Sequence, residues 1–137
     1  MNKRVLAIAF LAFLGMIDTF YITITSTQHA VVECHVTEGC NDVLTSKYSK
    51  LAGVPISLFG LAFYLSAFSC AVAEAMGAAK LTKLLFWPAL GAFLVSVSLT
   101  SIQAFVLEKY CEYCLASALL STAIFVLCLF GRRDQNV

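Results

Sequence analysis

Four of the six cysteines form two close pairs, Cys34 with Cys40 and Cys111 with Cys114. The second pair is a C-x-x-C motif that opens an apolar segment. At a helix N-terminus, unpaired backbone N–H groups lower a thiol pKa and favour the reactive thiolate. The motif therefore predicts thiol–disulfide redox chemistry, with half of a zinc site and a passive structural disulfide as the alternatives.

The first pair lies in a polar loop. Five residues, including Gly39, separate Cys34 from Cys40, so a disulfide between them is easy to form and to open. Set against the C-x-x-C, the loop pair predicts a relay in which electrons pass through mixed disulfides. Cys70 and Cys128 lie inside apolar segments and are interpreted as packing residues with inert thiols.

Composition decides what kind of protein carries these thiols. Hydrophobic residues make up 61% of the 137 residues and charged residues 12%, whereas soluble domains are roughly 45 to 50% apolar. A net charge of +1 without a basic stripe argues against nucleic acid as a partner. The chain is predicted to be a membrane protein.

Four segments are long enough to cross a bilayer, which takes about 20 apolar residues. We predict helices at about 5–25, 55–76, 84–107 and 112–130, in one domain over residues 1–137. The first segment is too long for a signal peptide and is expected to be retained. The predicted fold is an all-α integral membrane four-helix bundle with an outward-facing loop.

Basic residues predict the orientation, because Lys and Arg are enriched in cytoplasmic segments. Six of the nine flank the termini and the turn between helices two and three, namely Lys3, Arg4, Lys80, Lys83, Arg132 and Arg133. Both termini are therefore expected in the cytoplasm, and both cysteine pairs outside it, where disulfides persist. Polar residues are also concentrated in the outer halves of helices one, three and four, which predicts a polar-lined pocket beside the cysteines.

The order of these motifs resembles the vitamin K epoxide reductase family, especially its bacterial homologues. The resemblance covers nearly the whole chain and rests on Gly15, Tyr21, Cys34, Cys40, Val43, Ser46, Gly53-Val54-Pro55, Gly60, Tyr64, Tyr110-Cys111-Glu112-Tyr113-Cys114 and Ser117. It implies a bacterial inner-membrane enzyme that supports disulfide formation on the periplasmic or extracellular side. The electron acceptor would be a quinone of the ubiquinone, menaquinone or vitamin K type, and no metal is implied.

The resemblance also implies roles for individual residues. A separate thioredoxin-fold protein of the DsbA type would reduce the Cys34–Cys40 pair, and Cys40 would then exchange with Cys111. Cys114 would attack the quinone ring and Cys111 would resolve the adduct. Ser46 would lie on a short loop helix over the pocket.

Two positions depart from the vertebrate members of that family. Those members hydrogen-bond the substrate oxygens through an asparagine in helix two and a tyrosine one turn after the C-x-x-C. Ile56 and Ala118 stand at the matching positions here. Epoxide reduction is therefore not expected of this chain.

Asp18 is the one carboxylate inside the first helix, and a charge in that setting is a functional candidate. It is expected either to deliver protons to a reduced quinone or to hydrogen-bond neighbouring polar side chains. Two other functions remain open for the whole protein. The same four cysteines could carry a soft metal ion such as Cu(I) or Hg(II), or the chain could be a structural membrane subunit.

Overall fold

The computed structural model describes residues 3–28, 50–51, 53–77, 81–108 and 110–135. Their helices are α1 (Lys3–Thr27), α2 (Ile56–Ala75), α3 (Phe86–Ile102) and α4 (Glu112–Gln135). A short antiparallel hairpin of β1 (Lys50–Leu51) and β2 (Val54–Pro55) precedes α2. A 3₁₀ helix, Leu81–Leu85, leads into α3, and a π-helical segment, Gln103–Leu107, follows it. The predicted four-helix architecture is confirmed, while the short loop helix falls in residues 29–49, outside the described residues.

All four helices can cross a bilayer. The apolar spans are Lys3–Thr25, Ile56–Ala75, Leu81–Leu107 and Glu112–Gly131, with 20 to 27 residues each. Large apolar side chains cover the outside of the bundle, with Phe105 at 82% and Leu119 at 73% exposure. Broad apolar surfaces of this kind mark contact with lipid rather than water. The chain is a multi-pass membrane protein, as its composition predicts.

The interior of the bundle is organised around α1, which packs mainly on α2 and α4. Its buried residues recur every three or four positions, so they form one face of a helix: Val5, Ile8, Ala12, Gly15, Thr19 and Ile22. The neighbouring helices bring small residues to this core, namely Ala67, Ala71 and Ala89. Because lipid removes most of the hydrophobic driving force between helices, small residues stabilise the bundle by allowing close backbone approach.

Local chemistry explains where the elements begin. Gly53 turns the hairpin with φ of 82°, a backbone conformation that glycine adopts without steric cost. Pro55 precedes the first residue of α2 with φ of −59°, the value that its ring imposes. Pro88 lies in the first turn of α3, where a missing N–H leaves no helical hydrogen bond unmade.

One end of the bundle brings together the end of α1, the hairpin, the start of α2 and the start of α4. The hydroxyls of Thr23 and Ser57 are hydrogen-bonded at 2.9 Å, which joins α1 to α2. The rings of Tyr21 and Tyr113 lie 5.4 Å apart, which joins α1 to α4. We call this the site end, because Cys111 immediately precedes α4. Segment 29–49 carries Cys34 and Cys40. It connects the end of α1 to the hairpin, and both of these elements lie at the site end.

Gly15 of α1 packs directly against Tyr64 of α2. A Cβ atom at this position would overlap the ring of Tyr64, which is 1% exposed and fixed in the core. The ring cannot swing away freely, because its hydroxyl is hydrogen-bonded to Ser117 of α4. The glycine is therefore required by packing.

We expect Gly15→Ala to lower the free energy of unfolding by about 1 to 3 kcal/mol, the usual cost of overpacking a filled core. The measurement is reversible unfolding of the purified protein in detergent micelles. Gly91→Ala is the matched control, because a Cβ atom at residue 91 meets no atom within 4 Å. Equal stability of the two variants would contradict the packing role of Gly15.

Candidate active site

The C-x-x-C motif lies at the N-terminus of α4. Cys111 is fully buried, and its carbonyl accepts the first helical hydrogen bond, from the N–H of Leu115 at 3.0 Å. The N–H of Cys114 donates to Cys111 Sγ at 3.4 Å, as an N-terminal capping interaction. Both cysteines are free thiols in the structure. The motif thus opens the helix as the sequence predicts.

The surroundings of Cys111 favour its thiolate. A hydrogen bond from the Cys114 thiol lowers the pKa of Cys111, and the backbone N–H groups of Cys114 and Tyr113 add to this effect. Burial and the nearby carboxylate of Asp18 act in the opposite direction but do not cancel it. A thiolate stabilised in this way is a good leaving group in disulfide exchange.

Gln103 fixes the backbone of the motif from the end of α3. Its side chain is 2% exposed, and its Oε1 accepts a hydrogen bond from the N–H of Cys111 at 3.0 Å. Gln103 begins the π-helical segment, and its carbonyl accepts the N–H of Glu108, which has φ of 52°. Single π-helical turns are common at functional sites, because they shift the side chains that follow onto a different face. Gln103 is one of the polar residues in the outer half of predicted helix three, and the sequence did not single it out.

A cavity of about 470 Å³ lies next to the motif. Residues from all four helices line it, and most of its wall is apolar. Cys114 is part of this wall, whereas Cys111 is not among the lining residues. The volume is within the range of about 300 to 1,000 Å³ that is typical of small-molecule sites. Of the two thiols, Cys114 is therefore the one placed to meet a bound molecule.

The polar groups of the wall bind mostly to the protein itself. Tyr64 donates its hydroxyl proton to the carbonyl of Ser117 at 2.7 Å and lies 2.9 Å from the Ser117 hydroxyl. The hydroxyls of Ser96 and Ser121 are paired at 2.9 Å. These contacts connect α2 and α3 to α4 across the cavity. The hydroxyl groups of these residues stabilise the bundle, and they place a few polar atoms in a mainly apolar cavity wall.

The predicted polar pocket agrees with this cavity only in part. Several hydroxyls of the outer helix halves do line it: Thr19, Ser96, Thr100, Ser117 and Ser121. Ser98 and Ser101 instead are exposed on the outside of the bundle and donate to carbonyls of their own helix. Such back-bonding satisfies a hydroxyl in lipid without any ligand.

The structure brings some predicted site residues together and leaves others apart. Ile56 and Ala118 both line the cavity with Cys114. Asp18 does not line it, and its buried Oδ2 accepts no hydrogen bond from the residues that the structure describes. Its proposed role in proton delivery stays a prediction. Cys34, Cys40 and Ser46 lie outside the described residues.

The remaining cysteines belong to the packing of the bundle. Cys128 is 6% exposed within the hydrophobic core, and Cys70 packs against that core. Neither lines the cavity. Within the described ranges, no group of three or more His, Cys, Asp or Glu side chains is arranged to hold a metal ion.

Comparison with known proteins adds to this geometry. The sequence model of the vitamin K epoxide reductase family matches residues 6–129. The thiol-disulfide oxidoreductase LTO1 of Arabidopsis thaliana is 31% identical over 133 residues, which cover 89% of this chain and 35% of that relative. The chain therefore spans about a third of the length of this curated relative.

Proposed function

This chain belongs to the vitamin K epoxide reductase family, and we propose that it is a membrane thiol:quinone oxidoreductase. It would reoxidise a thioredoxin-fold thiol oxidase and reduce a quinone, and so support disulfide formation outside the cytoplasm. The observation that carries this proposal is that the two thiols of the C-x-x-C lie differently with respect to the cavity. Cys114 faces a cavity large enough for a quinone ring, and Cys111 lies outside that cavity.

The thiol half of the reaction begins in the loop pair. The reduced donor protein gives two electrons to the Cys34–Cys40 disulfide and leaves as its own disulfide. Cys40 then attacks the sulfur of Cys111 in the Cys111–Cys114 disulfide, and Cys114 leaves as a thiolate. Cys34 attacks Cys40, which restores the loop disulfide and releases Cys111. The backbone N–H groups of Cys114 and Tyr113, which help to lower the pKa of Cys111, favour that last step, because a stabilised thiolate leaves readily.

The quinone half takes place on the cavity side. The Cys114 thiolate adds to a ring carbon of the quinone, and the displaced electron pair moves onto a carbonyl oxygen. The Cys111 thiolate then attacks Cys114 Sγ, so that the S–S bond forms as the C–S bond breaks. The ring keeps the electron pair and takes up two protons to give hydroquinone. The contact between the Cys114 N–H and Cys111 Sγ already holds Cys111 beside its partner.

The cavity wall favours a quinone over an epoxide as the electron acceptor. Ile56 and Ala118 line the cavity, and neither side chain can donate a hydrogen bond to an oxygen atom. The mainly apolar wall suits the ring and the first isoprenoid units of a lipid-soluble quinone such as ubiquinone, menaquinone or a vitamin K. A separate thioredoxin-fold protein of the DsbA type is the proposed donor.

We place the protein in a bacterial inner membrane with both termini in the cytoplasm. The distribution of Lys and Arg supports this orientation. The site end would then face the periplasm or the exterior, where the loop segment and the C-x-x-C can meet. Labelling of intact cells with an impermeant maleimide after brief reduction of the loop disulfide checks it, since Cys34 or Cys40 reacting only after the cells are opened would refute the orientation.

The test of the proposed function uses the purified protein, a reduced thioredoxin-fold donor and a short-chain quinone. We expect donor oxidation and quinone reduction in equal amounts. The resting protein should contain disulfides that reform after reduction only when quinone is present. Free thiols at rest, together with stoichiometric uptake of Cu(I) or Hg(II), would replace this proposal by the metal-carrier alternative.

A further inference from the structure

The orientation of the Gln103 amide is fixed by its hydrogen bond to Cys111. A backbone N–H can only donate, so the side-chain atom that faces it at 3.0 Å is the oxygen, Oε1. The amide nitrogen, Nε2, must therefore point away from Cys111. Because the side chain is 2% exposed, packing holds it in this orientation.

The amide nitrogen of Gln103 is available to donate a hydrogen bond to a molecule in the cavity. Gln103 lines the cavity wall together with Cys114. No atom of the described residues accepts a hydrogen bond from Nε2, although this group carries two N–H donors. Among the described residues, Asp18 Oδ2 is a fully buried side-chain atom without a partner and Nε2 is not, so Nε2 is accessible from the cavity. A polar group that faces a mainly apolar cavity is stabilised when a ligand supplies the missing acceptor. A pair of fixed donors without a protein acceptor points to an acceptor on a bound ligand.

The same amide is linked to the reacting thiols through the backbone. Gln103 Oε1 accepts a hydrogen bond from the N–H of Cys111, and Cys111 Sγ accepts one from the N–H of Cys114. Ile56 and Ala118 provide no donor elsewhere on the wall, and the Tyr64 hydroxyl proton is donated to Ser117. Gln103 therefore offers a preorganised donor beside the thiol that faces the cavity.

We propose that Gln103 Nε2 donates a hydrogen bond to a carbonyl oxygen of the bound quinone. This inference rests on the proposed function and adds a residue that touches the substrate. When the Cys114 thiolate adds to the ring, the C–S bond forms and the electron pair of the ring double bond moves onto that oxygen. The Nε2–H group stabilises the resulting negative charge without giving up its proton. The hydroquinone also takes up two protons, and Gln103 supplies neither of them.

Gln103→Glu separates this role from the structural one. An ionised glutamate still accepts the N–H of Cys111 but has lost the donor, and its charge repels the developing oxyanion. A protonated glutamate has both a carbonyl oxygen and an O–H donor, so it imitates glutamine. We therefore expect quinone reduction about 100-fold below wild type at high pH, with the ratio of variant to wild-type rate rising as the pH falls. A purely structural role predicts the opposite trend, because the carboxylate is the better acceptor for Cys111.

The assay follows quinone reduction by the full-length protein from about pH 9 to about pH 5, a range in which buried glutamates titrate. Dithiothreitol supplies the electrons at each pH. Ser101→Ala is the matched control, since Ser101 is exposed on the same helix and binds its own backbone. A ratio that stays flat or falls as the pH is lowered would overturn the inference. Absence of quinone reduction by the wild-type protein would instead overturn the proposed function.

A second measurement does not depend on turnover. The infrared carbonyl stretch of an isotope-labelled quinone should lie at lower frequency in the wild-type protein than in Gln103→Leu, because a hydrogen bond weakens the C=O bond. The two proteins should bind the labelled quinone under conditions in which the thiols are oxidised and no reaction occurs. Identical carbonyl bands in the two proteins would refute the contact.

Discussion

Replacing Cys114 by alanine should lower quinone reduction by at least about 10³-fold, the loss expected when a covalent nucleophile is removed. Of the two C-x-x-C thiols, Cys114 is the one that lines the cavity, so no neighbouring sulfur can take its place. The measurement is the rate of quinone reduction with dithiothreitol as donor. Cys70→Ala should stay near the wild-type rate, because Cys70 packs against the core away from the cavity.

Cys111→Ala should fail at a different step. Its Cys114 thiolate can still reach the quinone, but no second sulfur is present to break the C–S bond. We expect a covalent protein–quinone adduct in Cys111→Ala and none in Cys114→Ala, detected as a mass increase of one quinone. Adduct formation by Cys114→Ala instead would exchange the roles that the cavity assigns to the two cysteines.

The helices and the reactive pair could be predicted from the sequence because each depends on local features. A span requires about 20 apolar residues whatever surrounds it, and the C-x-x-C brings its own helix N-terminus. The bounds of the hairpin could not be predicted in the same way. Strands of two residues, Lys50–Leu51 and Val54–Pro55, are too short to show an alternating pattern.

The faces of the helices were much harder to predict. The first ten residues of α3, 86–95, are apolar, and the hydroxyl residues of its second half follow no helical period, so the sequence does not distinguish the lipid side from the bundle side. Ser96 and Ser98 are therefore equivalent in the sequence, although Ser96 pairs with Ser121 and Ser98 is exposed. Only the packing of α3 on α4 distinguishes the two hydroxyls.

The position of Gln103 depends on a feature without a sequence rule. The π-helical turn that starts at this residue changes the helical phase over 103–107. An ideal α-helix would place the residues that follow Gln103 on different faces from those observed, and so would change where Cys111 lies relative to its amide. A polar amide eight residues before Cys111, directly followed by the apolar run 104–107, was the available indication of a functional residue.

The second large effect concerns the loop pair. We expect Cys34→Ala to lose most of its quinone reduction when the donor is a thioredoxin-fold protein, by about 10²-fold or more, since the loop disulfide can no longer form. With dithiothreitol as donor its rate should stay close to wild type. A small dithiol can reduce the Cys111–Cys114 disulfide without the loop. Comparing the rate with the protein donor and the rate with dithiothreitol, under the same conditions, separates the effect on the relay from any effect on quinone reduction.

A trapped intermediate gives this prediction a direct readout. In Cys34→Ala, Cys40 can still attack Cys111, but no thiol remains in the loop to resolve the resulting disulfide. Mass spectrometry of the protein after proteolysis should therefore find residues 40 and 111 crosslinked. Thr37→Ala is the matched control, because it changes the same loop and keeps both thiols. If Cys34→Ala turned over at the wild-type rate with the protein donor, the donor would have to exchange directly with the C-x-x-C. Since Cys111 is fully buried and Cys114 faces the cavity, a folded donor would then need the bundle to open at the site end.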